Sequence, residues 1–147
     1  MLERFFRFSC GIFEISRCWH RLAAEEMEKQ GLRGPYAIYL LMIWREQAGI
    51  TAAQLSEMCG RDKADVSRAV SMMEKKGLLT KEGSAYRAVL KLTELGSSVA
   101  EHVCRRAAVA VENAGQGFSA EQREVFYQVL ETITGNLQDL SKKGLPE

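Results

Sequence analysis

The chain has 147 residues, 46% apolar and 27% charged, with a net charge of +1. That is enough for one ordinary domain with a buried core, and it excludes a disordered or low-complexity protein. The longest apolar run, Tyr36 to Trp44, covers nine residues, against the ~20 a helix needs to cross a bilayer, so no membrane partner is expected.

Prolines are scarce and glycines fall at segment ends, which predicts a mainly α protein with short connections. The first helix is expected from about Leu2 to Gln30, ended by Gly31. On it Phe5, Phe8, Ile12, Ile15, Trp19 and Leu22 recur in alternating steps of three and four, a seven-residue repeat that makes a narrow seam for another helix. The second helix opens at Gly34-Pro35, where proline's missing N–H costs nothing, and is expected to end near Ala48-Gly49. It is apolar all round and so should be buried on most sides.

Thr51-Ala-Ala-Gln54 reads as a capping box opening a third helix that closes at Cys59-Gly60. Asp62 is the expected N-cap of the fourth, with Asp65 adding negative charge to its first turn and Gly77 ending it. Val66, Ala69, Val70 and Met73 follow the i, i+3, i+4, i+7 rule and must face the core, which leaves Ala64, Arg68, Ser71 and Lys75 opposite, with Ser67 alongside. Two short strands are expected at Leu79–Glu82 and Tyr86–Lys91, joined by a Gly83-Ser84 turn. Thr93 caps a fifth helix running to about Ala114, and Gly115-Gln-Gly117 breaks it. A second capping box, Ser119 to Gln122, opens a sixth helix to about Lys143, with a matching seam of Phe126, Leu130, Ile133, Leu137 and Leu140. These seams are candidates for dimerisation, because a helix of roughly 29 residues outruns what a small monomer core can cover.

Charge is unevenly spread. Between Arg61 and Lys91 there are eight bases and four acids, a local +4 in about a fifth of the chain, while the remainder carries −3. A basic middle in a mildly acidic chain is the footprint of a nucleic-acid contact. Third helix, tight turn, fourth helix and hairpin make, in order, a winged helix-turn-helix. Its fourth helix has the length and polarity to enter a DNA major groove. Ala64 and Ser67 are small enough to let the backbone approach base edges. Arg68 can offer a guanidinium fork to guanine, and Lys63, Ser71 and Lys75 can reach phosphates. Ala52, at the start of the third helix, offers a backbone N–H to a phosphate. Lys81 and Arg87 on the wing could follow the backbone or the minor groove.

The stretch ITAAQLSEMCGRDKADVSRAVSMMEKKGLLTK, followed by RAVLKLTELG, resembles the MarR family of bacterial transcription regulators. The resemblance runs closely over about 46 residues, through Asp62, Val66, Ser67, Arg68 and Val70, then Gly77-Leu-Leu79, then Leu92, Thr93, Glu94 and Gly96. It implies a winged-helix region at residues 34–93 within one continuous domain, and a helical dimerisation region at residues 1–33 and 94–147. It further implies an obligate homodimer on a pseudo-palindromic operator, repression as the expected mode, and a small-ligand cleft. Lys63, Ala64, Ser67 and Arg68 take the family's base- and phosphate-contacting positions. The wing departs from the family, whose D-x-R is replaced by Ser84-Ala85-Tyr86 in a shorter hairpin, leaving Lys81 and Tyr86, or a shifted Arg87, to make wing contacts.

Other residues admit second readings. Trp19, Tyr36 and Tyr39, with Trp44, are candidates for an aromatic-ligand pocket, or are simply core. Cys10 and Cys18, near Arg7 and Arg17, are candidates for a thiol-based redox sensor, or inert. His20, His102 and Cys104 have no metal-ligand spacing, and no metal or cofactor is expected. Glu3, Arg4 and Arg7 make the start unlike a secretory leader, and the four cysteines are expected as reduced thiols in a cytoplasmic protein. With no glycine-rich phosphate loop and no nucleophile elbow, an enzyme is not expected. The competing class is a winged-helix module that binds protein instead of DNA.

Overall fold

The computed structural model describes residues 1–84 and 87–145. The chain divides into two compact units, Met1–Ala108 and Val109–Glu147. The first contains α1 (Leu2–Lys29), a 3-10 turn (Gly34–Tyr36), α2 (Ala37–Arg45), β1 (Ile50–Thr51), α3 (Ala52–Cys59), α4 (Lys63–Lys75), β2 (Leu79–Glu82), β3 (Val89–Leu92) and most of α5 (Glu94–Ala114). The second contains the end of α5 and α6 (Ala120–Lys143).

The core lies in the first unit. It is built from Met27 of α1, Tyr39, Leu40 and Ile43 of α2, Leu55 of α3, Val66, Ala69, Val70 and Met73 of α4, Leu79 and Leu90 of the sheet, and Val99, Ala100 and Val103 of α5. The inward row expected for α4, Val66, Ala69, Val70 and Met73, is thus the row that is buried, while α2, expected to be buried on most sides, buries Ala37, Tyr39, Leu40 and Ile43 and leaves Ile38 exposed. α5 reaches this core because its third residue is glycine: a Cβ on Gly96 would stand 1.8 Å from the Leu78 carbonyl oxygen. Thr93 fixes the same junction, its Oγ1 donating to the Gly77 carbonyl at 2.6 Å and accepting the Gly96 N–H at 3.0 Å.

In the second unit, α6 opens on the expected capping box, with Ser119 Oγ accepting the Gln122 N–H and Gln122 Oε1 accepting the Ser119 N–H. Arg123 closes the preceding turn through Glu112 at 2.6 Å and the Gly115 carbonyl at 3.1 Å. No described residue of α6 is buried.

Three details depart from the sequence reading. The segment from Gly34 begins as a 3-10 turn, and α2 ends at Arg45, short of Ala48-Gly49. There the Gly49 N–H donates to the Glu46 carbonyl at 2.7 Å and turns the chain into β1. β1 itself is a strand the sequence reading lacks. It pairs with β3 through Ile50 opposite Leu90, giving an antiparallel sheet of order β1-β3-β2. The last strand starts at Val89, not Tyr86, because Leu79 pairs with Leu92 and Glu82 with Val89. That register turns both Leu79 and Leu90 into the core, and a one-residue slip would turn one of them out.

Candidate nucleic-acid interface

α3 and α4 are held at a fixed turn. Gly60 takes a left-handed conformation (φ +58°) that closes α3. Ser56, the one buried polar residue among those described, donates from Oγ to the Arg61 carbonyl at 2.6 Å, while the Arg61 N–H donates back to the Ser56 carbonyl at 3.1 Å. Thr51 and Gln54 form the expected capping box, and Ala52 begins α3 half-buried. Its N–H is in the first helical position, where an intrahelical partner is lacking by geometry.

α4 starts at Asp62, whose Oδ1 accepts the Asp65 N–H at 2.8 Å. With Val66, Ala69, Val70 and Met73 in the core, Lys63, Ala64, Ser67, Arg68 and Lys75 are left exposed and Ser71 half-buried. The outward face therefore offers small side chains flanked by cations. Arg68 is 64% exposed, with Nη2 3.4 Å from Asp65 Oδ1. Among the described residues, Lys63 and Lys75 make no ion pair.

Two connections to this helix are missing from the sequence reading. Lys81 of β2 pairs with Glu74 of α4 at 2.6 Å, tying the wing to the helix it flanks. Tyr39 of α2 donates its hydroxyl to Asp65 Oδ2. Burial, then the hydrogen bond to Asp65 and its charge, push the Tyr39 phenol well above its ordinary value. The same hydrogen bond, followed by Arg68 and Arg61, holds the Asp65 carboxyl below the usual range against the opposing effect of its own burial. Neither pairing has a local signal, since its members lie seven and 26 residues apart.

Arg87 is exposed in the hairpin loop, its N–H donating to the Ser84 carbonyl at 3.0 Å, so it belongs to neither strand. The strand expected over Tyr86–Lys91 therefore does not include it. Tyr86 lies outside the described residues. Lys91 is taken up by Glu82 at 2.8 Å.

The remaining candidates are dispersed. Tyr36 and Tyr39 come together with ring centroids 6.3 Å apart, but both are core side chains rather than walls of an open cleft. Trp19 stands exposed on α1 and Trp44 is half-buried. Cys10 and Cys18 are exposed on α1. His20 Nδ1 lies 2.6 Å from the Ser16 carbonyl of its own helix turn, and His102 lies 3.5 Å from Glu26. Burial pushes the Cys104 thiol up. Among the described residues no three His, Cys, Asp or Glu side chains group as a metal site, and no helix is long and apolar enough to cross a membrane.

A helix-turn-helix with a short sheet as its wing, presenting a small and cationic helix face, defines a winged-helix DNA-binding protein. The MarR family model matches residues 27–86. An uncharacterized HTH-type transcriptional regulator of Bacillus subtilis (strain 168), YybA, is 30% identical over 118 residues, which cover 76% of this chain and 77% of that protein. The fold is similar to a putative MarR family regulator from Listeria monocytogenes complexed with a 26mer DNA (TM-score 0.80, 25% identity, covering 93% of this chain and 95% of that one). It is also similar to a MarR regulator from Methanosarcina mazei Go1 (TM-score 0.84, 21% identity, 92% of each chain). The chain belongs to the MarR family: it is a DNA-binding transcription regulator and not an enzyme.

Proposed function

We propose that two copies of this chain bind one pseudo-palindromic operator as a cytoplasmic repressor, each inserting α4 into a major groove. Arg68 reads a base edge. Lys63, Ser71, Lys75 and the Ala52 N–H bind phosphates, while Ala64 and Ser67 allow close approach. Lys81 and Arg87 follow the backbone from the wing. The observation that carries this reading is the division of α4 into a buried apolar face and an exposed face of small and cationic side chains. Support for a second copy comes from the two seams: Phe5, Phe8, Ile12 and Ile15 on α1 are exposed, as are Phe126, Leu130, Leu137 and Leu140 on α6, with Ile133 half-buried. Apolar rows of this length are what a partner helix covers. Half-sites are then about 34 Å apart. Family membership supports an effector that favours one separation of the paired α4 helices, to be sought with a panel of small aromatic compounds.

The test is a mobility-shift assay on duplexes selected by the protein from genomic fragments. Arg68→Ala should weaken binding by about 1–3 kcal/mol, roughly 5- to 150-fold, if it reads a base. Equal binding by Arg68→Ala and the unaltered protein overturns that role.

A further inference from the structure

Tyr39 lies on the inner face of α2, one of the least exposed side chains of the core, at 1%. A phenol so placed must find a partner for its hydroxyl. The partner is Asp65, three residues into α4, one helical turn before Arg68. The two carboxylate oxygens are divided. Oδ2 takes the Tyr39 hydroxyl and Oδ1 faces Arg68 Nη2. Asp65 is thus held from both sides, by the core through its side chain and by the Asp62 cap through its N–H.

This arrangement matters because Asp65 is an anion on a helix that must approach a polyanion. Left to itself, a carboxylate one turn before an arginine can offer both oxygens to the guanidinium fork, the strongest geometry available to that pair. Arg68 would then be drawn onto the helix surface and its fork would be occupied. With Oδ2 turned to Tyr39, Asp65 meets Arg68 through Oδ1 alone, at 3.4 Å. That fixes the lean of the side chain and leaves guanidinium N–H groups free to donate outward.

The geometry points to Tyr39 and Asp65 as positioning residues for DNA reading: a buried phenol orients, through one carboxylate, the arginine that recognises a base. The inference rests on the proposed role of Arg68. It makes sequence discrimination depend on a hydroxyl that never meets the DNA, whereas phosphate binding by Lys63 and Lys75 does not depend on it.

The test uses the full chain and two fluorescent 30-base-pair duplexes: one enriched by the unaltered protein from a random pool, and a scramble of the same composition. Tyr39→Phe keeps the ring and removes only the hydroxyl. It is expected to weaken binding to the enriched duplex by about tenfold, toward the low end of what a good base contact contributes, and to change binding to the scramble less than about twofold. In an Arg68→Ala background the same substitution should have no effect on either duplex, since coupled residues are non-additive. Asp65→Asn is the second variant, and it serves also if Tyr39→Phe fails to fold. Its amide oxygen can keep the Tyr39 hydroxyl while its NH2 group turns to Arg68, so the enriched-to-scramble ratio should fall while the melting temperature holds. Equal losses on both duplexes, or the same loss with and without Arg68, would show an anchor for α4 and nothing more, and would overturn the inference. If Arg68→Ala itself leaves the enriched duplex bound as before, the proposed role of Arg68 fails and the inference with it. If Arg68→Ala weakens binding but neither Tyr39→Phe nor Asp65→Asn changes the ratio, only the inference fails.

Discussion

Replacing Gly96 by alanine places a methyl group where the structure has a carbonyl. The new Cβ would lie 1.8 Å from Leu78 O, 2.8 Å from its carbonyl carbon and 3.2 Å from its Cα. These are backbone atoms and cannot rotate aside, and Leu78 O is further fixed by accepting the Thr93 N–H at 3.0 Å. To reach even 3.0 Å the start of α5 must retreat by about 1.2 Å. That movement loosens Val99, Ala100 and Val103, which are buried one and two turns on. Overpacking of this kind costs about 1–3 kcal/mol, and a backbone clash belongs at the upper end. Alanine returns up to about 1 kcal/mol as the better helix former. The net loss should be near ~2 kcal/mol, or a fall in Tm of about 4–8 °C for a chain of this size. The assay is a thermal melt followed by circular dichroism at fixed protein concentration. Gly135→Ala is the control: nothing lies within 4 Å of its Cβ, and it sits on the side of α6 away from the Ile133–Leu137 seam, so it should gain up to about 1 kcal/mol. A Gly96→Ala protein that melts at or above the unaltered one refutes the reasoning.

Ser56→Ala should destabilise by about 1–3 kcal/mol by leaving the Arg61 carbonyl without its side-chain donor in the α3–α4 turn, measured by urea unfolding; a midpoint unchanged from the parent would remove Ser56 from its role as the turn's clamp. Glu26 of α1 is held below its ordinary value of 4.5 chiefly by the Lys29 hydrogen bond, with Arg106 of α5 assisting and burial opposing. A carboxyl depressed in the folded state contributes stability above its unfolded value and loses it as pH falls through the folded one. Stability should therefore drop below about pH 4.5, and Glu26→Gln should flatten that acid limb; an identical slope in both proteins would refute the assignment.

Much of the site is legible in the sequence because it is written in short-range chemistry. The capping boxes at Thr51 and Ser119, the Asp62 cap and the αL glycine at residue 60 each act within four residues. The inward row Val66, Ala69, Val70 and Met73 follows from helical period alone, and it leaves the outward face of α4 determined by subtraction. What escapes is whatever depends on a partner far along the chain. β1 is two residues long, too short to alternate, and exists only because β3 is there to pair with it. The register that starts β3 at Val89 is set across the sheet by Leu79 and Leu92. Tyr39 looks like one more aromatic on an oily helix, because its significance lies in Asp65, 26 residues away. The tyrosines are open to two readings for the same reason: rings at helical spacing suit a cleft and a core equally well, and Tyr36 and Tyr39 are buried in the core.

α6 spends 24 residues without burying one of them. With a second copy as the proposed cover, the helix becomes a term in mass action: dilution removes occupancy of the operator and also the support that keeps the chain's end folded. A regulator built this way has a lower limit to its working abundance set by its own architecture, beneath which unpaired chains are the first to be lost to proteolysis.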